Sequence, residues 1–297
     1  MALSPDGAHF YITDSPRDPT VHGSLWVVDA SSGVVGSEIQ VGEGESRVAV
    51  SPDGSSIYVS TAQDDKVSVI DAQRGAVVQT IGLGVNDTTG NVSGVGLNAT
   101  GLVTSPDGSL LYVSEYAADR VAVIDTRSHS VARNITVGEA PVAVAASADG
   151  SRVYALNQAG INGIGSVSVV DTGSSAVIQT INVGRGPVAF ALSPAGAQLA
   201  VLNSGDLTIS VIDVGSGAVS RTIQLSDEAG GIAVARDGSQ IFTTLANTGA
   251  MEIIDTHDWT ISQFPVGPTP GQVVVSTDGS ELYVLRGGGV AVLSRTA

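Results

Sequence analysis

Two sets of residues in this 297-residue chain are of types that could do chemistry. The first is six aspartates, Asp29, Asp71, Asp125, Asp171, Asp213 and Asp255, each closing an apolar run such as Val67-Ser68-Val69-Ile70-Asp71. Paired carboxylates do general acid and base work, but six at one repeated position argue for turn caps that accept backbone N–H groups at the next hairpin. The second set is mixed: Asp14, Thr61, Glu115, Asn157, Asn203, Leu245 and Arg286 occupy matching positions in seven repeats. A purely structural repeat tends to reuse one residue type, whereas this one combines acids, amides and a base. Four residues before each repeat's turn the usual residue is small (Gly101, Ala143, Ala189, Gly231), yet Arg47 and Gln272 stand there in two copies.

These residues can be read in two ways. In one they form an anion-recognising pocket, with Arg47 and Arg286 as charge-assisted donors and Asp14 or Glu115 as acid or base. Gln272, Asn157 and Asn203 add polar contacts, and His22, in a long loop with Asp14, Arg17 and Asp18, is a further catalytic candidate. In the other, Arg286 pairs with Asp14 and Arg47 with Glu43 or Glu45, giving marginal stabilisation. His9, His129 and His257 fall at hairpins and read as turn residues.

The elements that must position these groups are set by a turn. Ser-Pro-Asp-Gly or a variant starts at residues 4, 51, 105, 147, 193, 235 and 276, at intervals of 41 to 54 residues. That is close to the roughly 40 to 45 residues of a four-stranded propeller blade. Pro presets φ, Asp bonds the following backbone and Gly accepts positive φ, so each copy joins two strands tightly. The strand after the turn carries a central aromatic (Tyr11, Tyr58, Tyr112, Tyr154, Phe242, Tyr283; Ala200 is the exception), suited to packing between blades. Next comes the strand ending in Asp, with Ser294 in the seventh copy, and then an alternating outer strand such as Val77-Val78-Gln79-Thr80-Ile81.

The expected fold is therefore all-β: a single seven-bladed β-propeller over residues 1–297. Its blades span approximately 1–42, 43–84, 99–138, 139–184, 185–226, 227–267 and 268–297, the last lacking its outer strand. The missing strand would come from residues upstream of Met1. Loops Asp14 to Ser24, Gly84 to Ala99 and Asn157 to Ser166 are expected on one face, and the mixed set at the mouth of the central channel.

Composition narrows the function. A net charge of -16, with Lys66 the one lysine, disfavours nucleic acid and anionic lipid as partners. The absence of cysteine removes disulfides and thiolate metal sites. The apolar window Gly186 to Leu202 contains Ser193-Pro194-Ala195-Gly196 and reads as a hairpin, so no membrane span is expected; nor is an export leader read at the start. No hydrolase elbow, zinc-protease, phosphate-loop or calcium-loop motif occurs, and no cofactor or resident metal is expected, although Asp14 and Asp18 with loop carbonyls could hold a hard cation. Three Asn-x-Ser/Thr triplets, at 86–88, 91–93 and 98–100, fit the glycosylation pattern, as an Asn- and Thr-rich loop does by chance.

Tyr-Val-Ser-Thr at 58–61, Tyr-Val-Ser-Glu at 112–115, the Ser-Pro-Asp-Gly turns and the Val-Ser-Val-Ile-Asp strands resemble the YVTN-repeat β-propellers over essentially the whole chain. That family includes surface-layer and exported bacterial proteins, and related seven-bladed propellers include lactonases, lyases and redox-enzyme subunits. The resemblance implies a monomeric binding module, extracellular, periplasmic or at a cell surface, taking a small molecule or protein at the channel mouth. The alternative it leaves is a lactonase-like hydrolase or lyase using Asp14, Glu115 and Arg286.

Overall fold

A computed structural model describes residues 1–14, 23–42, 44, 46–62, 65–84, 99–160, 163–193 and 195–295. The protein is a seven-bladed β-propeller with almost no helix. Blade 1 holds strands β1 (Ala2–Leu3), β2 (His9–Thr13), β3 (Gly23–Asp29) and β4 (Val35–Gly42); blade 2 holds β5 (Ser46–Val50), β6 (Ser56–Thr61), β7 (Lys66–Asp71) and β8 (Ala76–Gly82). Blade 3 comprises β9 (Ala99–Thr104), β10 (Leu110–Glu115), β11 (Arg120–Asp125) and β12 (Ser130–Thr136), and blade 4 comprises β13 (Pro141–Ala146), β14 (Arg152–Asn157), β15 (Ile164–Asp171) and β16 (Ala176–Arg185). Blade 5 is β17 (Pro187–Leu192), β18 (Gln198–Asn203), β19 (Thr208–Asp213) and β20 (Ala218–Gln224); blade 6 is β21 (Ala229–Val234), β22 (Gln240–Leu245), β23 (Ala250–Asp255) and β24 (Ile261–Pro265). Blade 7 has three strands, β25 (Val273–Val275), β26 (Glu281–Arg286) and β27 (Gly289–Ser294). Two compact units divide the chain, residues 1–155 with 170–177, and residues 156–169 with 178–297.

The turn that sets the repeat is held by its own side chains. In blade 2 the Ser51 hydroxyl donates to Asp53 at 2.6 Å and accepts the Ser56 N–H at 2.9 Å, while Asp53 accepts the Ser55 N–H at 3.0 Å. Gly54 closes the turn on the Ser51 carbonyl with φ of +72°, which only glycine adopts without strain. The proline does more than fix φ. Pro52 packs its ring on Gly108 of the next blade's turn, where a Cβ would meet Cδ at 3.2 Å, and Pro106 lies against Gly150 in the same way. Pro and Gly of successive turns thus interlock, which explains why both recur.

The six strand-ending aspartates are caps. Asp29, Asp71, Asp125, Asp171, Asp213 and Asp255 each accept at least one backbone N–H from the two or three residues that follow. Serine hydroxyls together with these backbone bonds hold the Asp29, Asp171 and Asp213 carboxyls below the usual carboxylate range, as they do that of Asp125, where the backbone bond leads.

The central aromatics are buried between sheets: Tyr58 joins Leu111, Val113 and Ile124 of blade 3, and Phe242 joins Leu282 and Val284 of blade 7. The outer strands differ from simple alternation. Along β8 every residue but Ile81 is exposed, and Ile39, Ile135, Ile181 and Ile223 are the matching buried isoleucines. The same place in each strand is thus filled by a buried isoleucine, joined in β4 by the buried Val41, while most of the remaining residues face solvent. Inner strands approach closely, which explains their small residues: a Cβ on Gly101 would come within 2.8 Å of the Ala143 Cα, and one on Gly231 within 2.9 Å of the Gln272 Cα. The apolar window at Gly186 to Leu202 folds as the β17–β18 hairpin, and no helix among the described residues is long and apolar enough to cross a membrane.

Candidate functional site

In the first unit Asp14 directly follows β2 and is exposed. Its Oδ1 accepts the Ser24 N–H at 2.7 Å and its Oδ2 the Trp26 indole N–H at 3.2 Å, while its own N–H donates to the Ser24 carbonyl. Asp14 therefore ties the neck of the first long loop. Residues 15–22 of that loop, with His22, Arg17 and Asp18, lie outside the described residues, as do Glu43, Glu45 and most of the loop bearing the Asn-x-Ser/Thr triplets.

Glu115 ends β10 with no exposure to solvent. Its Oε2 accepts from Arg120 Nε at 3.0 Å and Nη2 at 2.7 Å, and Arg120 also donates to the Leu83 carbonyl of blade 2. The pair thus seals the seam between blades 2 and 3. Burial pushes the Glu115 carboxyl up, Arg120 pulls it back and Asp65 adds to the rise. Its Oε1 is buried with no hydrogen-bond partner among the described residues. Arg47 is exposed on β5, opposite Ser60, whose buried hydroxyl has no partner among the described residues.

In the second unit the amides follow one plan. Asn157 donates to Ser166 and Ser168, at 3.1 and 2.9 Å, and Asn203 donates to Thr208 and Ser210, at 3.2 and 2.9 Å. Asn203 also accepts the Gly184 N–H of the preceding blade. Both amides are fully buried, as are Thr61 in the first unit and Leu245 in the second. Each such side chain meets its own blade's third strand or the seam to the blade before. Arg286 is half-buried at the end of β26, lying over Gly267, where a Cβ would reach its Nη1 at 2.5 Å. Its Nε is buried with no hydrogen-bond partner among the described residues. Gln272 is exposed just before β25, and its carbonyl accepts the Leu285 N–H.

Three residues that carry these arrangements escaped the sequence reading. Arg120 completes the Glu115 pair, and Trp26 binds Asp14. Glu252, on β23, is buried and accepts from the Ser226 hydroxyl at 2.6 Å and Gln263 at 3.2 Å, leaving Oε2 without a partner among the described residues. Alignment of the repeats carries a signal for it: Glu252 stands where Ser68, Ala122, Ser168 and Ser210 stand in other blades. Among the described residues no group of three or more His, Cys, Asp or Glu could hold a metal ion. His129 and His257 lie in turns, His129 with φ of +51°, and His9 lines a groove of about 550 Å³ between the first two turns. Grooves of about 300 Å³ recur between the next turns, lined by the same Ser, Pro, Asp and Tyr positions, and so belong to the repeat.

A family described as "Lactonase, 7-bladed beta-propeller" matches residues 3–162, just over half of the chain. Among solved structures, hydrazine synthase of Kuenenia stuttgartiensis is similar with a TM-score of 0.79 and 22% identity, over 99% of this chain and 94% of that one. At that identity the likeness concerns the fold. No curated protein matches.

Proposed function

The chain belongs to the seven-bladed β-propeller lactonase family, and from that premise we propose that it is a ligand- or protein-binding propeller of an exported or cell-surface protein. The observation that carries this reading is the engagement of both acid candidates. Glu115 is closed off from solvent on Arg120, and Asp14 holds Ser24 and Trp26, whereas a general acid or base must reach a substrate. Arg47 in the first unit, and Gln272 and Arg286 in the second, are the proposed ligand contacts; the half-buried guanidinium of Arg286 suits a carboxylate or another anion. Asn157 and Asn203 hold their blades' loops in place. The exported setting leans on the likeness of Tyr-Val-Ser-Thr and Tyr-Val-Ser-Glu to YVTN repeats.

A lactonase-like hydrolase is the second reading, favoured by the raised Glu115 carboxyl, whose Oε1 has no partner among the described residues, a property of general acids. The two separate on a panel of sugar, aliphatic and aromatic lactones followed by acid release. A binding module gives no turnover above buffer and a thermal shift with an anionic ligand that Arg286→Ala diminishes. Turnover that Glu115→Gln or Asp14→Asn abolishes, with folding intact, would overturn the binding reading.

A further inference from the structure

One groove in the second unit is not part of the repeat. Three residues before the strand-ending aspartate stand Trp26, Ser68, Ala122, Ser168, Ser210 and Glu252 in blades 1 to 6. Glu252 fills its place in blade 6 by bonding Ser226 and Gln263, and the half-buried Trp26 ring fills it in blade 1. In blade 2 the Ser68 hydroxyl donates to the Val41 carbonyl of blade 1 at 2.8 Å, and in blade 3 Arg120, five residues before the aspartate, reaches the Leu83 carbonyl of blade 2. Blade 5 does neither. Thr208 and Ser210 are small, and a groove of about 550 Å³ stays open between them, β20 and the Val183-Gly184 stretch of β16. All its walls belong to the second unit.

The floor of the groove is a pair of buried hydroxyls fixed from behind. The Gly184 N–H donates to Asn203 Oδ1 at 3.2 Å and so orients the amide, whose N–H groups then point at Thr208 and Ser210. Each hydroxyl accepts from Asn203 and donates to nothing among the described residues, so each holds one O–H for the groove. The walls add acceptors. Asp206 takes the Arg185 N–H on Oδ2 at 2.7 Å and keeps Oδ1, and Gln224 donates to the Leu207 carbonyl at 3.0 Å and keeps Oε1. Thr222 offers an exposed hydroxyl, while Val183 and Val219 supply apolar surface. Among the described residues Asp206 is the one charged side chain in the lining, which disfavours anions.

We propose that this groove binds a neutral sugar ring. A sugar hydroxyl donates and accepts at once, which matches a floor of donors facing acceptors on the walls; the Asp206 carboxylate accepts from a ring hydroxyl, and the valines meet the C–H face. The volume lies within the roughly 300–1,000 Å³ of small-molecule sites. Blade 4 repeats the hydroxyl pair as Ser166 and Ser168 beside Asn157, but Ile164 stands where blade 5 has Asp206, so the charged acceptor is particular to blade 5. The ligand here is uncharged, whereas the contacts proposed above for Arg47 and Arg286 take an anion, and the two stand or fall separately.

Saturation-transfer NMR on the whole chain tests this with glucose, galactose, mannose, N-acetylglucosamine and their disaccharides, and with glycerol and inositol as polyols that are not sugars. At least one saccharide is expected to bind, and the double variant Thr222→Ala with Gln224→Ala, both exposed side chains, to weaken it about tenfold. Ser210→Ala is expected to weaken it similarly, and the exposed double variant keeps the test valid should Ser210→Ala unfold. Citrate, an anion suited to Arg286, should not displace the sugar, which keeps this result distinct from that of the anion contacts. Equal binding of monosaccharides assigns a free sugar and a preference for disaccharides assigns a glycan chain; either supports the proposal. Silence of every saccharide at tens of millimolar, a response from glycerol or inositol alone, or binding unchanged in the groove variants would overturn it.

Discussion

Glu115 and Arg120 show what a residue at a strand end does when it turns into a seam. The carboxylate has left water entirely, and Arg120 with its two hydrogen bonds compensates the loss. Removing the cation leaves a buried charge, so Arg120→Leu is expected to cost about 3–5 kcal/mol near pH 8 in urea unfolding. The sign of its pH dependence follows from the raised Glu115 carboxyl. The folded state takes up a proton at higher pH than the unfolded state, so this group's contribution is most favourable at low pH and falls as pH rises through the folded value. Without Arg120 the carboxyl rises further, and the cost should shrink as pH is lowered towards 5. A cost equal at both pH values would show that Glu115 stays ionised. Glu115→Met with Arg120→Leu should recover most of the loss, since a packed apolar pair replaces the ion pair.

At the scale of the strand, the outer position of each blade rests on little. In β8 the buried side chain is Ile81, while Val77 and Val78 are partly or largely in solvent. Ile81→Ala is expected to cost about 2–5 kcal/mol, and Val78→Thr less than about 0.5 kcal/mol, both read from urea midpoints at constant slope. Similar costs would mean that the strand is held by backbone pairing rather than by its anchor. This strand also marks where the sequence stops being legible. Turn and period were readable because Ser51-Pro52-Asp53-Gly54 and Val67-Ser68-Val69-Ile70-Asp71 have local causes, and the seven-bladed fold and the three-stranded last blade followed from them. The direction of a strand-end side chain has no local cause. Asn203 and Asn157 were recognised as unusual, but their burial depends on Ser210 and Ser168, which look like ordinary strand residues. Arg120 escaped notice because its partner's burial, not its own position, gives it a role.

Across the whole molecule, charge is the lever that moves all blades together. At neutral pH the chain carries a net charge of -16, and this self-repulsion eases as pH falls towards the isoelectric point near 4.3. The turn aspartates act in the opposite sense at lower pH. Serine hydroxyls and backbone N–H groups hold Asp6, Asp53, Asp107 and Asp237 below the ordinary value, and Asp149 and Asp278 down at about 2. A carboxyl depressed in the folded state contributes stability that is present above its unfolded value and lost as pH falls through the folded one. The melting temperature should therefore rise modestly from pH 8 to about 5, peak there, and fall steeply between about 4 and 2, where the caps are protonated and the net charge turns positive. Replacing Asp149 and Asp278 by asparagine should lower the peak and flatten the acid limb, because those turns then have no carboxylate to lose. A melting temperature that stays level from pH 5 to 2 would show that the turn carboxylates do not hold the blades. An unchanged acid limb in the double variant would place the lability elsewhere.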